Sequence, residues 1–397
     1  MSGTLQPERK PVFCVLGAGN GGLAMAAHLA LKGFVVNLYN RTPERLRPIQ
    51  QAGGIQVIAH NGDELPRGRA RLGVVSAKAA EALAHTDILM VAVPATGHAF
   101  MAEQCAPLLR DGQIVILHPG RTGGALEFHH ILRQKKVQAD VVVAEAQTFL
   151  YASRSVNPAQ VQIFRVKNSV PVAAIPAYRT PEVIKSLSVA YSEFVPGDNV
   201  MKTSLDNIGA VFHPAVTVLN AARIESTHGD FEYYIDGITP SVALALEALD
   251  KERVAVGAAL GFNCMSAREW LYIAYDAAGR TLHDAIRANQ GYYGIKAPTR
   301  LNHRYLFEDV PMSLVPIASM GDMLGVPCPT IQAIIHLANL LHGCDYWQTG
   351  RTVARLGLAG LNLQQIRQLV LEGKLPSEAS QPTPRKGGGR RAGSTGK

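Results

Sequence analysis

The chain has 397 residues and a formal net charge of +8, with 47% hydrophobic and 18% charged residues. That length allows two or three domains, and that balance excludes a disordered chain. No apolar run approaches the roughly 20 residues of a membrane crossing, the N-terminal MSGTLQPERK has no apolar signal region, and five scattered cysteines without C-x-x-C spacing fit a reduced cytoplasmic protein.

The first half alternates short apolar runs with helical patterns. Strands are expected at Val12–Leu16, Val35–Tyr39, Ile55–Ala59, Leu72–Ser76, Asp87–Val93, Gln113–Leu117 and Val141–Ala144. Helices are expected at Leu23–Leu31, Lys78–Ala84 and Ala125–Leu132, and the runs Val161–Val166 and Val170–Ile175 extend the sheet. Several runs are continuous Val/Ile stretches, as in strands buried on both faces. This is an α/β pattern: a Rossmann-type, doubly wound, mostly parallel sheet.

The first strand leads into LGAGNGG, in which Gly17, Gly19 and Gly22 satisfy G-x-G-x-x-G and enclose Asn20 and Gly21. Such a loop turns tightly, lets a pyrophosphate approach the backbone, and packs its helix close to its strand. The helix N-terminus adds unpaired N–H groups and a positive dipole end. The second strand ends at Tyr39 and is followed by Asn40, Arg41 and Thr42. A carboxylate there would accept from the ribose 2′-hydroxyl of NAD; an arginine instead attracts a 2′-phosphate. NADP(H) is the expected cofactor, with NAD as the weaker alternative. Pro94, in VPATGH, ends a buried strand on the cofactor side, and HPGRTGG (118–124) is a second glycine-bearing turn, read equally as an ordinary turn or a ligand contact.

After about Pro196 helices dominate. Thr239-Pro240 starts one and Gly261 ends it; Ser266 with Glu269, Thr281 with Asp284, and Asn362 with Gln365 have capping-box spacing. Gly343 closes an amphipathic segment, Pro329–Leu341, and Gly373 closes the last helix. We therefore expect a nucleotide-binding domain over residues 10–196 and a helical substrate domain over 197–375, with the reaction in the cleft between them. Residues 376–397 carry five basic residues and one acid in a Pro/Gly/Ser-rich segment, read as a disordered tail without aromatics for nucleic acid.

Within the helical half, His213, Thr217 and Asn220 fall on one helical face, with Pro214 expected to start or kink the helix. RLNHRYLFEDVP (300–311) gathers Arg300, Arg304, Glu308 and Asp309. Folded against His213, Asp309 would orient the imidazole and Arg304 would clamp a carboxylate. No metal site is expected: the thirteen histidines form no H-E-x-x-H.

From about Pro11 to Leu358 the chain resembles the NAD(P)-dependent opine dehydrogenases, the octopine/nopaline dehydrogenase family. The motifs are LGAGNGG, VPATGH, PGRTGGALEF, AEAQTFLYASR, HPAVTVLNAARIE, YYIDGITPSVALALEALDKER, RYLFEDVP and GVPCPTIQAIIHLA, in that order. The resemblance implies a small-molecule enzyme that condenses an amino acid with a 2-oxo acid and reduces the imine with NAD(P)H. It implies His213 as catalytic acid/base, Asp309 as its partner, Arg304 as a catalytic and substrate-carboxylate residue, and Thr148 as a substrate-pocket residue; Asn220, on the His213 face of its helix, is a further substrate-binding candidate. The family usually has Thr at Ala146, Cys at Ser153 and Asn at His118, so substrate identity is what these departures touch. A ketone reductase without an amine substrate and a non-catalytic nucleotide sensor are the alternatives. No nucleic-acid or membrane partner is expected, and a homodimer is one option for the assembly.

Overall fold

The short Val/Ile/Leu runs become strands buried on both faces, and they stack side by side because only a continuous sheet satisfies their backbone groups. The computed structural model describes residues 9–58 and 65–375. The basic C-terminal segment, the N-terminal octapeptide and the last expected residue of the third strand, Ala59, lie outside the described residues.

The strands are β1 (Phe13–Leu16), β2 (Val36–Tyr39), β3 (Ile55–Ile58), β4 (Gly68–Ala70), β5 (Val75–Ser76), β6 (Ile88–Val91), β7 (Ile114–Leu117), β8 (Val142–Ala146), β9 (Tyr151–Asn157), β10 (Gln160–Val166), β11 (Val170–Ile175) and β12 (Phe194–Pro196). Eight form the main sheet in the order β12-β11-β8-β7-β6-β1-β2-β5. All neighbours run parallel except β8 and β11. Strand order reverses between β1 and β6, and the crevice at that switch point is where such sheets bind ligands.

The structure departs from the sequence reading at one edge. β3 and β10 leave the main sheet and form a second one, ordered β4-β3-β10-β9. The reason is legible in their composition. In β3, IQVI, burial alternates residue by residue, whereas β1, β2, β6 and β7 are buried throughout. A strand with one wet face cannot sit inside a sheet covered on both sides. The expected Leu72–Ser76 strand shrinks to the two-residue edge strand β5.

The helical half follows its capping signals. Thr239 caps the helix Pro240–Ala259, and capping boxes start Ala267–Tyr275, Leu282–Ala288 and Leu363–Glu372. No described helix is long and apolar enough to cross a membrane.

Three buried charges from distant sequence join the halves. Arg351, fully buried, donates to Glu127 Oε2 (2.7 Å), to the carbonyls of Gly120, Thr122 and Ala95, and contacts His98 Nδ1 at 2.8 Å. Glu145, at the end of β8, accepts from Ala125 N, Thr203 Oγ1 and Ser204 Oγ. Glu308 accepts from Ala95 N at 3.0 Å. Removing one partner of a buried charge pair costs about 3–5 kcal/mol. Arg351→Met is therefore expected to lower unfolding free energy by about that amount in urea titrations; a loss below about 1 kcal/mol would show that the junction does not need it.

Candidate active site

The glycine loop joins β1 to the helix Asn20–Leu31. A Cβ on Gly22 would lie 1.8 Å from Gly17 O, so no larger residue fits there. At Gly19, by contrast, nothing lies within 4 Å of where a Cβ would be, and no side chain caps the helix. The loop thus leaves open space in front of unpaired N–H groups, the cradle a phosphate requires. That space opens into a cavity of about 790 Å³ lined by Gly19, Asn20, Gly21, Pro94, His118 and Arg304, among others. A smaller cavity of about 290 Å³ continues past Asn40, Arg41, Thr42 and Arg45. Together these two spaces have the extent a dinucleotide requires.

Several expected cofactor residues are partly engaged with the protein itself. Asn40 accepts from Ala18 N (3.1 Å) and donates to Thr42 O, bracing the loop against the end of β2. Asn20 accepts from Ser155 N, which pins β9 over the loop, and the Phe149 ring lies against Gly21. Arg41 is exposed with its guanidinium 5.4 Å from the Phe100 ring. Arg45, exposed beside it and lining both cavities, is a second cation that sequence reading passed over. His118 is buried, with neither ring nitrogen bonded among the described residues, and burial pulls its imidazole down to about 3. It is therefore a neutral donor–acceptor on the cavity wall.

His213 sits in the helix Gly209–Leu219, which begins a turn before Pro214 rather than at it. Pro214, its sixth residue, forgoes one backbone donor, and the helix continues past it to Leu219. The His213 carbonyl accepts from Thr217 Oγ1 and Tyr233 Oη, and the ring stacks on Tyr305 at 4.1 Å. His213 Nδ1 is 2.9 Å from Asp309 Oδ2. Asp309 is fully buried where a short helix, Arg304–Phe307, gives way to a π-helical turn, Val310–Leu314.

The group that completes this arrangement is Arg121, from the second glycine-bearing turn. Its Nη1 lies 2.9 Å from Asp309 Oδ1, and its Nε 3.8 Å from Glu308 Oε1. Arg304 Nη2 meets Glu308 Oε2 at 3.0 Å and keeps half its side chain exposed to the cavity. His213, Asp309, Arg121, Glu308 and Arg304 thus form one continuous network. Burial alone would raise Asp309, but Arg121 and then His213 outweigh it and hold the carboxyl below its ordinary value. Arg121 is shifted further up because Asp309 and then Glu308 outweigh its burial. No signal in the sequence set Arg121 apart from an ordinary turn residue.

Two expected substrate residues sit differently. Thr148 Oγ1 accepts from Lys167 Nζ at 2.6 Å, at the carboxyl edge of the sheet. Asn220 donates to the carbonyls of Val216 and Gly237, closing the His213 helix, so its amide nitrogen is used by the backbone.

The arrangement matches known proteins. A family model described as "NAD/NADP octopine/nopaline dehydrogenase, alpha-helical domain" matches residues 196–342, and one described as "Ketopantoate reductase PanE/ApbA" matches residues 13–148. An opine dehydrogenase from Arthrobacter sp. (strain 1C) is 39% identical, over 90% of this chain and 98% of its own. An octopine dehydrogenase from Mizuhopecten yessoensis is 25% identical over 85% and 91%. Among solved structures, octopine dehydrogenase in complex with NADH and agmatine superposes with a TM-score of 0.77 at 22% identity, covering 92% of this chain and 98% of that one.

Because its folded value lies below its unfolded one, ionised Asp309 contributes stability that is present above the ordinary carboxylate range. That contribution is lost as pH falls through this range to the lower folded value. Asp309→Asn should therefore be less stable than wild type by about 3–5 kcal/mol at neutral pH. The gap should narrow steadily below about pH 4. Urea unfolding at several pH values measures it; a gap independent of pH would refute the ionised, paired state.

Proposed function

The chain belongs to the octopine/nopaline dehydrogenase family, and on that premise we propose how its cleft performs the reductive condensation of an amino acid with a 2-oxo acid. It is an NAD(P)-dependent oxidoreductase acting on CH–NH bonds. The observation that carries the residue roles is the His213–Asp309–Arg121 relay, joined through Glu308 to Arg304 at the wall of the glycine-loop cavity.

In this reading Gly17, Gly19, Asn20, Gly21 and Gly22 receive the pyrophosphate, Pro94 and His118 wall the nicotinamide end, and Asn40, Arg41 and Thr42 surround the adenosine ribose. The absence of a carboxylate at Asn40, Arg41 and Thr42 and the exposed pair Arg41 and Arg45 favour NADPH, because guanidinium groups bind a 2′-phosphate that a carboxylate would repel. The bound dinucleotide supplies a hydride to the imine carbon.

The chain's own groups do the remaining work. Arg304 holds the carboxylate of the oxo acid. His213 moves protons as the neutral amine adds and water leaves, the general acid–base task of an imidazole held beside a carboxylate. Asp309 occupies Nδ1 and so leaves Nε2 toward the substrates, and the stacked Tyr305 ring keeps the imidazole from turning. Arg121 keeps Asp309 ionised, so that it stabilises the imidazolium each time it forms. Placing both substrates beside groups already oriented supplies much of the rate.

The test crosses a panel of amino acids with pyruvate, 2-oxoglutarate and glyoxylate, follows NADPH absorbance and identifies products by mass. NADPH oxidation is expected only when both partners are present; stoichiometric oxidation by the oxo acid alone would make the protein a ketone reductase. With the best pair, His213→Asn should lower turnover at least about 100-fold with NADPH affinity nearly unchanged, and near-normal turnover would remove the acid/base role. Arg41→Ala should raise the KM for NADPH far more than that for NADH; equal effects on both would contradict the NADP preference.

A further inference from the structure

The reaction proposed above needs the hydride donor and the oxo acid held in one relative geometry, yet their proposed walls come from different halves of the chain. Pro94, just beyond β6, belongs to the sheet, and Arg304 belongs to the helical half; both line the large cavity. Which group fixes one wall against the other? The peptide at Ala95 gives the first indication. Its N–H donates to Glu308 at 3.0 Å, and its carbonyl accepts from Arg351 at 3.1 Å. Both of its polar groups are thus bonded to charges of the helical half.

Glu308 is buried and itself lines that cavity. Its two oxygens are divided between the walls. Oε1 takes the Ala95 N–H and lies 3.8 Å from Arg121 Nε. Oε2 faces Arg304 Nη2 at 3.0 Å as an ion pair, without a hydrogen bond among the described residues. Glu308 and Asp309 are consecutive where the helix Arg304–Phe307 gives way to the π-helical turn. Neighbouring helical side chains diverge by about 100°, so Asp309 meets the His213 imidazole while Glu308 meets the cofactor wall. Arg304 makes this one ion pair among the described residues, and half its side chain is exposed. A single carboxylate thus spans from the turn after β6 to the guanidinium proposed to hold the oxo acid.

We infer that Glu308 is a positioning residue for the hydride step: with one oxygen on Ala95 N and the other on Arg304, it sets the separation of the cofactor wall from the oxo-acid clamp. This rests on the roles given above to Pro94 and Arg304. In that step the carbon of the protonated imine accepts the hydride, so the imine becomes a secondary amine and NADPH becomes NADP⁺. The competing reading makes Glu308 a counter-charge for Arg121 and Arg304 and nothing more. A counter-charge gives no reason for the bond to Ala95, a neutral N–H 213 positions away. The two readings differ in what happens when the charge is kept and the reach is shortened.

The experiment therefore compares wild type with Glu308→Asp, which keeps the charge but not the span, and with Glu308→Gln, which keeps an acceptor for Ala95 N but not the ion pair. A misplacement of about 1 Å, close to the reach of one methylene, can cost on the order of 100-fold. Glu308→Asp should lower kcat at least about tenfold, with the Kd of NADPH from fluorescence titration changed by less than about threefold. With NADPH deuterated at the transferred hydrogen, the isotope effect on kcat should be no smaller than in wild type, because hydride transfer is the step slowed. In the free protein, amide exchange at Ala95 should be faster in Glu308→Asp and near wild type in Glu308→Gln. Glu308→Gln should lower kcat by a smaller factor, above about threefold, again without loss of the isotope effect. An isotope effect that vanishes in the variants, a kcat loss explained by NADPH affinity, or a near-normal kcat in Glu308→Asp overturns the role. Should urea titration show Glu308→Asp to be unfolded, Glu308→Gln decides on the same kcat and isotope criteria. A wild type that turns over no amino acid–oxo acid pair refutes the reaction itself and this role with it, and is recognised before any variant is compared.

Discussion

One buried guanidinium organises the cleft. Arg351 belongs to the helical half, yet its donors go to Glu127 and to the carbonyls of Ala95, Gly120 and Thr122, all at the carboxyl edge of the sheet. A charge without solvent must be met by acceptors in fixed positions, so the loops that supply them are held as well. Two of those carbonyls flank Arg121, whose backbone adopts a left-handed φ of 59°. That conformation costs a non-glycine residue of order 1–2 kcal/mol, and here it aims the Arg121 side chain at Asp309. The orientation of the His213 imidazole is thus coupled, through Asp309 and Arg121, to a guanidinium buried at the junction of the two halves.

The same logic recurs at the other end of the junction. Glu145 is buried at the tip of β8, and its burial raises its pKa even though Ala125 N, Thr203 and Ser204 all donate to it. Ser204 also accepts from Gly123 N, so the second glycine-bearing turn is gripped from both sides. Buried polar groups that are fully satisfied rigidify what they join. The helical half is thus fastened to the sheet by the chain's own buried groups, and the residues proposed for catalysis are oriented by them.

The small second sheet has a different role. Through Asn20 and Ser155 it is tied to the glycine loop, and Phe149, Tyr151 and Ser153 form one wall of the large cavity. Its alternating burial leaves one face for this wall and the other for solvent. Two of the positions at which a departure from the family is expected, Ser153 and His118, lie on that cavity, whereas the third, Ala146, is buried in β8.

Some of this was legible in residue order. The glycine loop, the β-α alternation and the capping boxes at Ser266, Thr281 and Asn362 depend on neighbours within one turn or one crossover, so local pattern determined them. The His213–Asp309 pairing reached across 96 positions only because motif order resembled a known family. Arg121 lay in a turn read equally as an ordinary turn or a ligand contact, and no local pattern pointed to Arg351. Their roles rest on partners as much as 256 positions away in sequence, and periodicity carries no information over such separations. Sequence by itself determined which segments become strand, helix and phosphate loop, because those outcomes are decided by local backbone energetics. Tertiary structure alone decided which buried charges are paired, because only the packed chain removes the water that would otherwise screen them.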